Sequence, residues 1–356
     1  MIDVKEYIPN HIQKMKGYVP GLQLNYKVIK LNTNENPYPL PDFLIKAIQD
    51  FVKENIFHLY PDPESKILRE KLAKIYKKNK ENILIGNGSD EILSIVFRGF
   101  LQKGDRILIL DPSYSLYPVL AEALQVDVIS VPLKSDFTVD LDLVIHHAKL
   151  YQPKLLVITN PNAPTGIAMS RNEILFLYNE TQLPMLVDEA YVFFGGETIM
   201  YEAGSEDYPL LMACSTFSKA FSSAGLRLGW LIANPVWIKQ FDKIRDSYNI
   251  NIFTQKVGEM ILNEWDYFHS RIQEIIQTRE WFIEKLKDLN FFTLPSKTNF
   301  VFTSPPDQNA QKLYEKLLTK NILVRYFSQI PAFLRITIGT KEQMEVVYEE
   351  IYKIHS

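Results

Sequence analysis

Short apolar runs alternate with amphipathic stretches through the first two thirds of the chain. NILIG (82–86), RILILD (106–111), VDVISV (126–131), KLLVITN (154–160), PMLVDEA (184–190), LMACSTF (211–217) and LGWLIAN (228–234) read as strands. Several lack the strict alternation of a half-exposed strand, which predicts burial on both faces, as in a mostly parallel sheet covered by helices. Between them, SDEILSIVFRGFLQKGD places Ile92, Ile95, Val96 and Phe100 on one helical face, and Gly104 ends the run. The pattern predicts an α/β fold with the sheet sandwiched by helices. From about 236 to 290 it becomes helical, WDYFHSRIQEIIQTREWFIEKLKDL being the clearest stretch. FFTLPSKTNFVFTS, a helical QNAQKLYEKLLTKN, the strand-like ILVRYF and LRITIG, and a helix from Lys341 then predict a smaller α+β domain. No Pro/Gly/Ser-rich hinge separates the two, so the boundary is expected inside the helical region.

Composition narrows the function classes. A chain of 356 residues suits about two domains. Its 46% hydrophobic and 23% charged content is that of an ordered globular protein. A net charge of -3 with the signs mixed leaves no basic stripe, so no nucleic acid partner is expected. The single cysteine, Cys214, excludes an intrachain disulfide and a thiolate metal site. No histidine pair has zinc-ligand spacing, and no metal is expected. No apolar run nears the roughly 18 residues of a membrane helix, and the first residues lack a secretory h-region. A cytoplasmic protein without a membrane partner is the expectation.

Four stretches close predicted strands, the place where open α/β sheets bind ligands. GNGSDE (86–91) allows close backbone approach, with Ser89 or Asp90 at the N-terminus of the next helix. Alone it equally describes a plain capped turn. TNPNAPTG (159–166) is a rigid Asn/Pro loop whose amides could reach a ligand oxygen. LVDEAYVFF (186–194) sets Asp188 and Glu189 at the end of a run too apolar for a surface strand. A carboxylate there needs a cationic partner or ligand, unless it caps a helix facing solvent. CSTFSKAFSSAGLRLGW (214–230) puts Lys219 after Ser215, Thr216 and Ser218, with Arg227 eight positions later. A lysine can lie there with its stem packed and its head in water. The hydroxyls and arginine also suit a phosphate monoester, and the amine suits a Schiff base. Together the four match one cofactor, pyridoxal 5'-phosphate, which needs a lysine, a phosphate cradle and a carboxylate for its ring nitrogen. Trp230, Phe193 and Phe194 read as core, and the His146–His147 pair as a helix surface.

With LNTNENPYPLP (31–41), YPDPESKILREKLA (60–73) and LRITIGT (334–340), these stretches resemble, in order and over nearly the whole chain, the fold-type I pyridoxal-phosphate enzymes of the aminotransferase class I/II family. Within that family they are most similar to the histidinol-phosphate aminotransferase branch. The resemblance implies an N-terminal arm (1–35), a large cofactor-binding domain (36–250) and a small C-terminal domain (251–356). It implies that Lys219 carries the cofactor as a Schiff base and shuttles the substrate proton. Asp188 would pair with the ring nitrogen, Tyr191 would donate to the phenolic oxygen, and Tyr114 would stack on the ring. Ser89, Asp90, Thr216, Ser218 and Arg227 would hold the phosphate, with Tyr60 reaching it from the other subunit of a homodimer. Arg335 would clamp the carboxylate of glutamate or 2-oxoglutarate, and Arg325 and Tyr18 would take the phosphate-bearing end of histidinol phosphate.

One position departs from the family pattern. Where the branch usually reads Asn-Pro-Asn-Asn-Pro-Thr-Gly, this chain has Ala163 in place of the second Asn of the pair. Either Asn162 substitutes for it or Tyr191 meets the phenolic oxygen alone, and the expectation here is Asn162. The implied activity is transamination of histidinol phosphate with 2-oxoglutarate in histidine biosynthesis. Alternatives on the same scaffold are a phosphothreonine-type decarboxylase and a broad aromatic aminotransferase. A cofactor-binding regulator would need a fused DNA-binding module, for which the chain offers no room.

Overall fold

A computed structural model describes residues 3–355. In chain order the strands are β1 Ile29–Lys30, β2 Ile83–Gly86, β3 Arg106–Asp111, β4 Asp127–Pro132, β5 Leu155–Thr159, β6 Met185–Asp188, β7 Leu211–Thr216, β8 Gly229–Ile232, β9 Phe292–Thr293, β10 Phe300–Ser304, β11 Ile322–Leu323, β12 Arg325–Tyr326 and β13 Leu334–Thr337. Seven form one sheet in the order β2-β8-β7-β6-β5-β3-β4. Its pairs are parallel except those made by β8, which runs antiparallel to both neighbours. Alternate residues of each strand feed two cores. Leu84, Ile107, Ile109, Leu155, Val157, Leu186 and Met212 pack on one face with the helices Gly88–Phe100, Leu116–Ala123 and Pro235–Ile244. Ile83, Ile85, Leu108, Leu110, Leu156, Ile158 and Val187 pack on the other. Both faces are covered, which is why these strands read as continuous apolar runs.

A four-stranded antiparallel sheet, β12-β13-β10-β9, forms with the helices Trp265–Asp288, Ala310–Thr319 and Lys341–His355 a second layer system. The expected ILVRYF strand is divided at Val324. β11 pairs in parallel with β1 from the N-terminal segment, whereas β12 pairs with β13. The buried Arg279 of the long helix donates to the carbonyls of Phe194 and Thr298, tying that helix to both regions. Lys219 departs from the sequence expectation of a strand running into a loop, because Phe217–Ala220 is a single helical turn. Thr216 Oγ1 caps it by accepting from the Ser218 N–H. Among the described residues no helix is long and apolar enough to cross a membrane.

Candidate active site

The parallel strands end together at one edge of the large sheet, bringing Thr159 and Asp188 into register. Asp188 is buried, with Tyr117 donating its hydroxyl to Oδ2 at 3.0 Å and the Ala190 N–H donating to Oδ1 at 3.1 Å. Tyr117 also meets Thr159 Oγ1 at 2.7 Å, which contacts Ser113 Oγ at 3.0 Å. Burial pushes the Asp188 carboxyl up to about 6, against these two hydrogen bonds, and among the described residues no cationic side chain forms an ion pair with it. Pleating turns the next residue, Glu189, to the opposite side. There it accepts from Thr198 and the Ile199 N–H, and burial raises it to about 8. Only one of the two carboxylates read from VDEAY faces the site.

Lys219 stands across this edge, its Nζ donating to Thr33 O at 3.0 Å and lying 5.8 Å from the Tyr191 ring. The polar stretch LNTNEN crosses the site residue by residue. Asn32 O accepts from Arg335, Asn34 Nδ2 donates to the Tyr191 hydroxyl at 2.8 Å, and Asn36 Nδ2 donates to the carbonyls of Lys219 and Ala220.

Thr216, Ser218, Arg227 and Asp90 form one hydrogen-bonded group. Thr216 Oγ1 donates to Ser218 Oγ at 2.9 Å, and Arg227 reaches Ser218 Oγ and pairs with Asp90 at 3.2 Å. Asp90 also accepts from Tyr114 at 3.1 Å, whose phenol is pushed well up by burial and by the Asp90 charge. The helix Gly88–Phe100 opens beside them, with half-buried Ser89 in its first turn. Two glycines permit this approach. A Cβ on Gly88 would stand 2.6 Å from Arg227 Nη2, and one on Gly229 would stand 2.7 Å from the Gly88 and Ser89 backbone.

Arg335 and Arg325 are direct partners across β13 and β12. Arg335 lies against the rings of Phe300 and Phe327. Its Nε is buried without a partner, and burial lowers its pKa. Arg325 donates to the carbonyls of Val19 and Pro20 and lines a cavity of about 130 Å³ with Leu22, Asn32 and Tyr326. Tyr18 stands edge-on to Tyr114 at 5.9 Å. Tyr60 is apart from this group, 79% exposed and stacked on Tyr248. Asn162 gives its amide hydrogens to Thr165 Oγ1 in its own loop and to the Pro112 carbonyl just after β3, leaving a buried Oδ1 without a partner. The expected substitution of Asn162 for the missing Asn therefore lacks a free amide donor.

These residues fit pyridoxal phosphate. Among the described residues Asp188 is a buried carboxylate without an ion-pair partner, a cluster of hydroxyls and an arginine meets a helix N-terminus, and the Lys219 amine is held only by a backbone carbonyl, that of Thr33. Sequence reading missed Tyr117, Thr159 and Asn34. The helical spacing of Tyr114 and Tyr117 was a usable signal for the first, whereas Asn34 lies in a polar stretch with no periodicity.

The chain matches the aminotransferase class I and II family over residues 26–351. It is 39% identical over 358 aligned residues to a histidinol-phosphate aminotransferase of Syntrophus aciditrophicus, covering 98% of each chain. Its fold is similar to that of a histidinol-phosphate aminotransferase from Sinorhizobium meliloti, solved in complex with pyridoxal-5'-phosphate, with a TM-score of 0.88, 21% identity and 97% of each chain covered. An L-threonine-O-3-phosphate decarboxylase from Porphyromonas gingivalis shares the fold at a TM-score of 0.79 and 23% identity, over 92% of this chain and 99% of that one. The fold therefore does not separate transamination from decarboxylation. The full-length match places the chain in the class I and II aminotransferase family, whose members depend on pyridoxal phosphate.

Proposed function

We propose that this chain interconverts histidinol phosphate plus 2-oxoglutarate with imidazole acetol phosphate plus glutamate, running in histidine biosynthesis from imidazole acetol phosphate and glutamate to histidinol phosphate. The observation that carries the reading is the pair Arg325 and Arg335, two guanidinium groups from directly opposed residues beside Tyr18, Tyr114 and Tyr191. Like charges so placed call for an anionic ligand, and the two substrates bring a phosphate or a pair of carboxylates. The full-length 39% identity to a histidinol-phosphate aminotransferase supports the same choice.

When bound, pyridoxal phosphate supplies the electrophilic carbon and the electron sink for the substrate carbanion. Lys219 Nζ holds the cofactor and then moves the proton at the Cα of the amino donor. Asp188, as a carboxylate, would hold the cofactor's ring nitrogen in its protonated form, while Tyr191 would donate to the phenolic oxygen and Tyr114 would pack against the ring. Thr216, Ser218, Arg227, Asp90 and Ser89 hold the phosphate, the last two partly through backbone N–H groups. Arg335 grips the carboxylate of glutamate in a bidentate pair. Arg325 and Tyr18 take the phosphate of histidinol phosphate. Tyr60, exposed beside Phe57 and Leu59, is assigned to the site of a second copy, making the working unit a cytoplasmic homodimer. The division into arm (1–35), large domain (36–250) and small domain (251–356) belongs to the same reading.

Steady-state kinetics with 2-oxoglutarate and a panel of amino donors tests the assignment. Histidinol phosphate should exceed phenylalanine in kcat/KM, and release of carbon dioxide from phosphothreonine would overturn it in favour of the decarboxylase.

A further inference from the structure

Asn34 occupies a buried hub of hydrogen bonds that joins Thr337, Tyr191 and Asn299. Its side chain is 1% exposed and its φ is 59°, a left-handed conformation that Asn tolerates better than most residues. Thr337 Oγ1 accepts from the Asn34 backbone N–H at 3.1 Å and donates its own hydrogen to Asn34 Oδ1, 2.9 Å away. That contact fixes Oδ1 as the acceptor end of the amide. Nδ2 is thereby the end that donates to the Tyr191 oxygen at 2.8 Å. Asn299 Nδ2 holds the Asn34 carbonyl at 3.0 Å from another side. A phenol has one hydrogen, and an oxygen that already accepts from an amide keeps that hydrogen for a different acceptor.

We infer that Asn34, locked by Thr337, is a positioning residue that turns the Tyr191 proton toward the cofactor's phenolic oxygen, offsetting the donor lost at Ala163. The inference rests on the proposed role of Tyr191. Ala163 has no side-chain donor, and the amide hydrogens of Asn162 are committed to Pro112 O and Thr165 Oγ1. The charged groups facing Tyr191 are Lys219, 5.8 Å from its ring, and Arg335, two residues before Thr337 on β13. The strand that carries the Arg335 guanidinium therefore also sets the direction of the Tyr191 hydrogen bond.

The test reads the pH midpoint of the bound cofactor's visible absorbance rather than turnover. A proton donated to the phenolic oxygen stabilises its anion and lowers the proton affinity of the conjugated nitrogen, so loss of that donation raises the midpoint. Asn34→Asp keeps the shape but presents a carboxylate oxygen, which takes the Tyr191 proton for itself. The midpoint should rise by about one to two pH units. Thr337→Val removes the lock and should raise it by less, while Thr337→Ser, which keeps the hydroxyl, should restore the wild-type value. An unmoved midpoint in Asn34→Asp and Thr337→Val, with Tyr191→Phe raising it, overturns the inference and leaves the cofactor assignment standing. An unmoved midpoint in Tyr191→Phe overturns the role of Tyr191 and the inference with it. Should circular dichroism show that Asn34→Asp does not fold, the Thr337→Val and Thr337→Ser pair decides the matter in the same way.

Discussion

Arg325 and Arg335 stand directly opposite each other across the β12–β13 pair, one reaching the N-terminal segment and the other half-buried against Phe300 and Phe327. Their roles separate by substrate. Arg335→Ala should lower kcat/KM for glutamate by roughly two orders of magnitude or more, the scale of removing one partner of a buried charged pair. Arg335→Lys should recover little of it, because an ammonium cannot replace the planar fork. Arg325→Ala should weaken histidinol phosphate more than glutamate, and equal losses for the two substrates would refute the division.

Asp188 carries a second expectation through Tyr117. The tyrosine hydroxyl favours the charged carboxylate, so Tyr117→Phe should raise the Asp188 pKa above its value of about 6 in the cofactor-free protein, read by carboxyl carbon NMR. Asp188→Asn keeps the shape without the charge. Cofactor affinity should then fall by about two orders of magnitude, the scale of losing a buried charge partner. Unchanged affinity, measured by equilibrium dialysis, would detach Asp188 from the ring nitrogen.

Glu189 should govern stability rather than chemistry. Its folded pKa of about 8 lies above the ordinary carboxyl value of 4.5, so the folded state holds the proton longer than the unfolded chain. The contribution is fully present below the lower value and is lost as pH rises through about 8. Melting temperatures of the cofactor-free protein should decline across that window. In Glu189→Gln, which carries no titrating group there, the decline should be shallower, and an identical slope would show that Glu189 titrates normally.

Tyr60, at 79% exposed, contributes little to the fold of its own subunit. Tyr60→Phe should leave the melting temperature of the cofactor-free protein unchanged while weakening cofactor binding about tenfold, through loss of a hydrogen bond to a charged group. Sedimentation equilibrium should give a dimer. A monomer that binds the cofactor at full strength would exclude a site shared between subunits.

Much of the large sheet was legible in the sequence because strands buried on both faces leave continuous apolar runs, and RILILD matches β3 at both ends. Legibility failed where partners from distant parts of the chain decide local structure. ILVRYF has the composition of one strand, yet Val324 divides it between two sheets because β1 and β13 claim different halves. Lys219 forms part of a helical turn because Thr216 caps it, a bond its neighbours' propensities do not announce. The carboxylate was readable as a costly residue in an apolar run, Lys219 and Arg227 as an amine and a guanidinium among hydroxyls, and Arg325 and Arg335 through the family resemblance alone. Asn34 and Thr337 were not, since a neutral amide and a hydroxyl gain meaning only from the 303 residues of separation their hydrogen bond spans.

A single-turnover half-reaction tests the central assignment most directly. Loaded enzyme mixed with histidinol phosphate and no keto acid should lose its visible absorbance in one stoichiometric turnover, and 2-oxoglutarate should restore it, whereas Lys219→Ala should show neither change. Histidinol phosphate that leaves the absorbance untouched while another amine discharges it would contradict the proposed substrate, and a Lys219→Ala protein that turns over would contradict the assignment of the lysine.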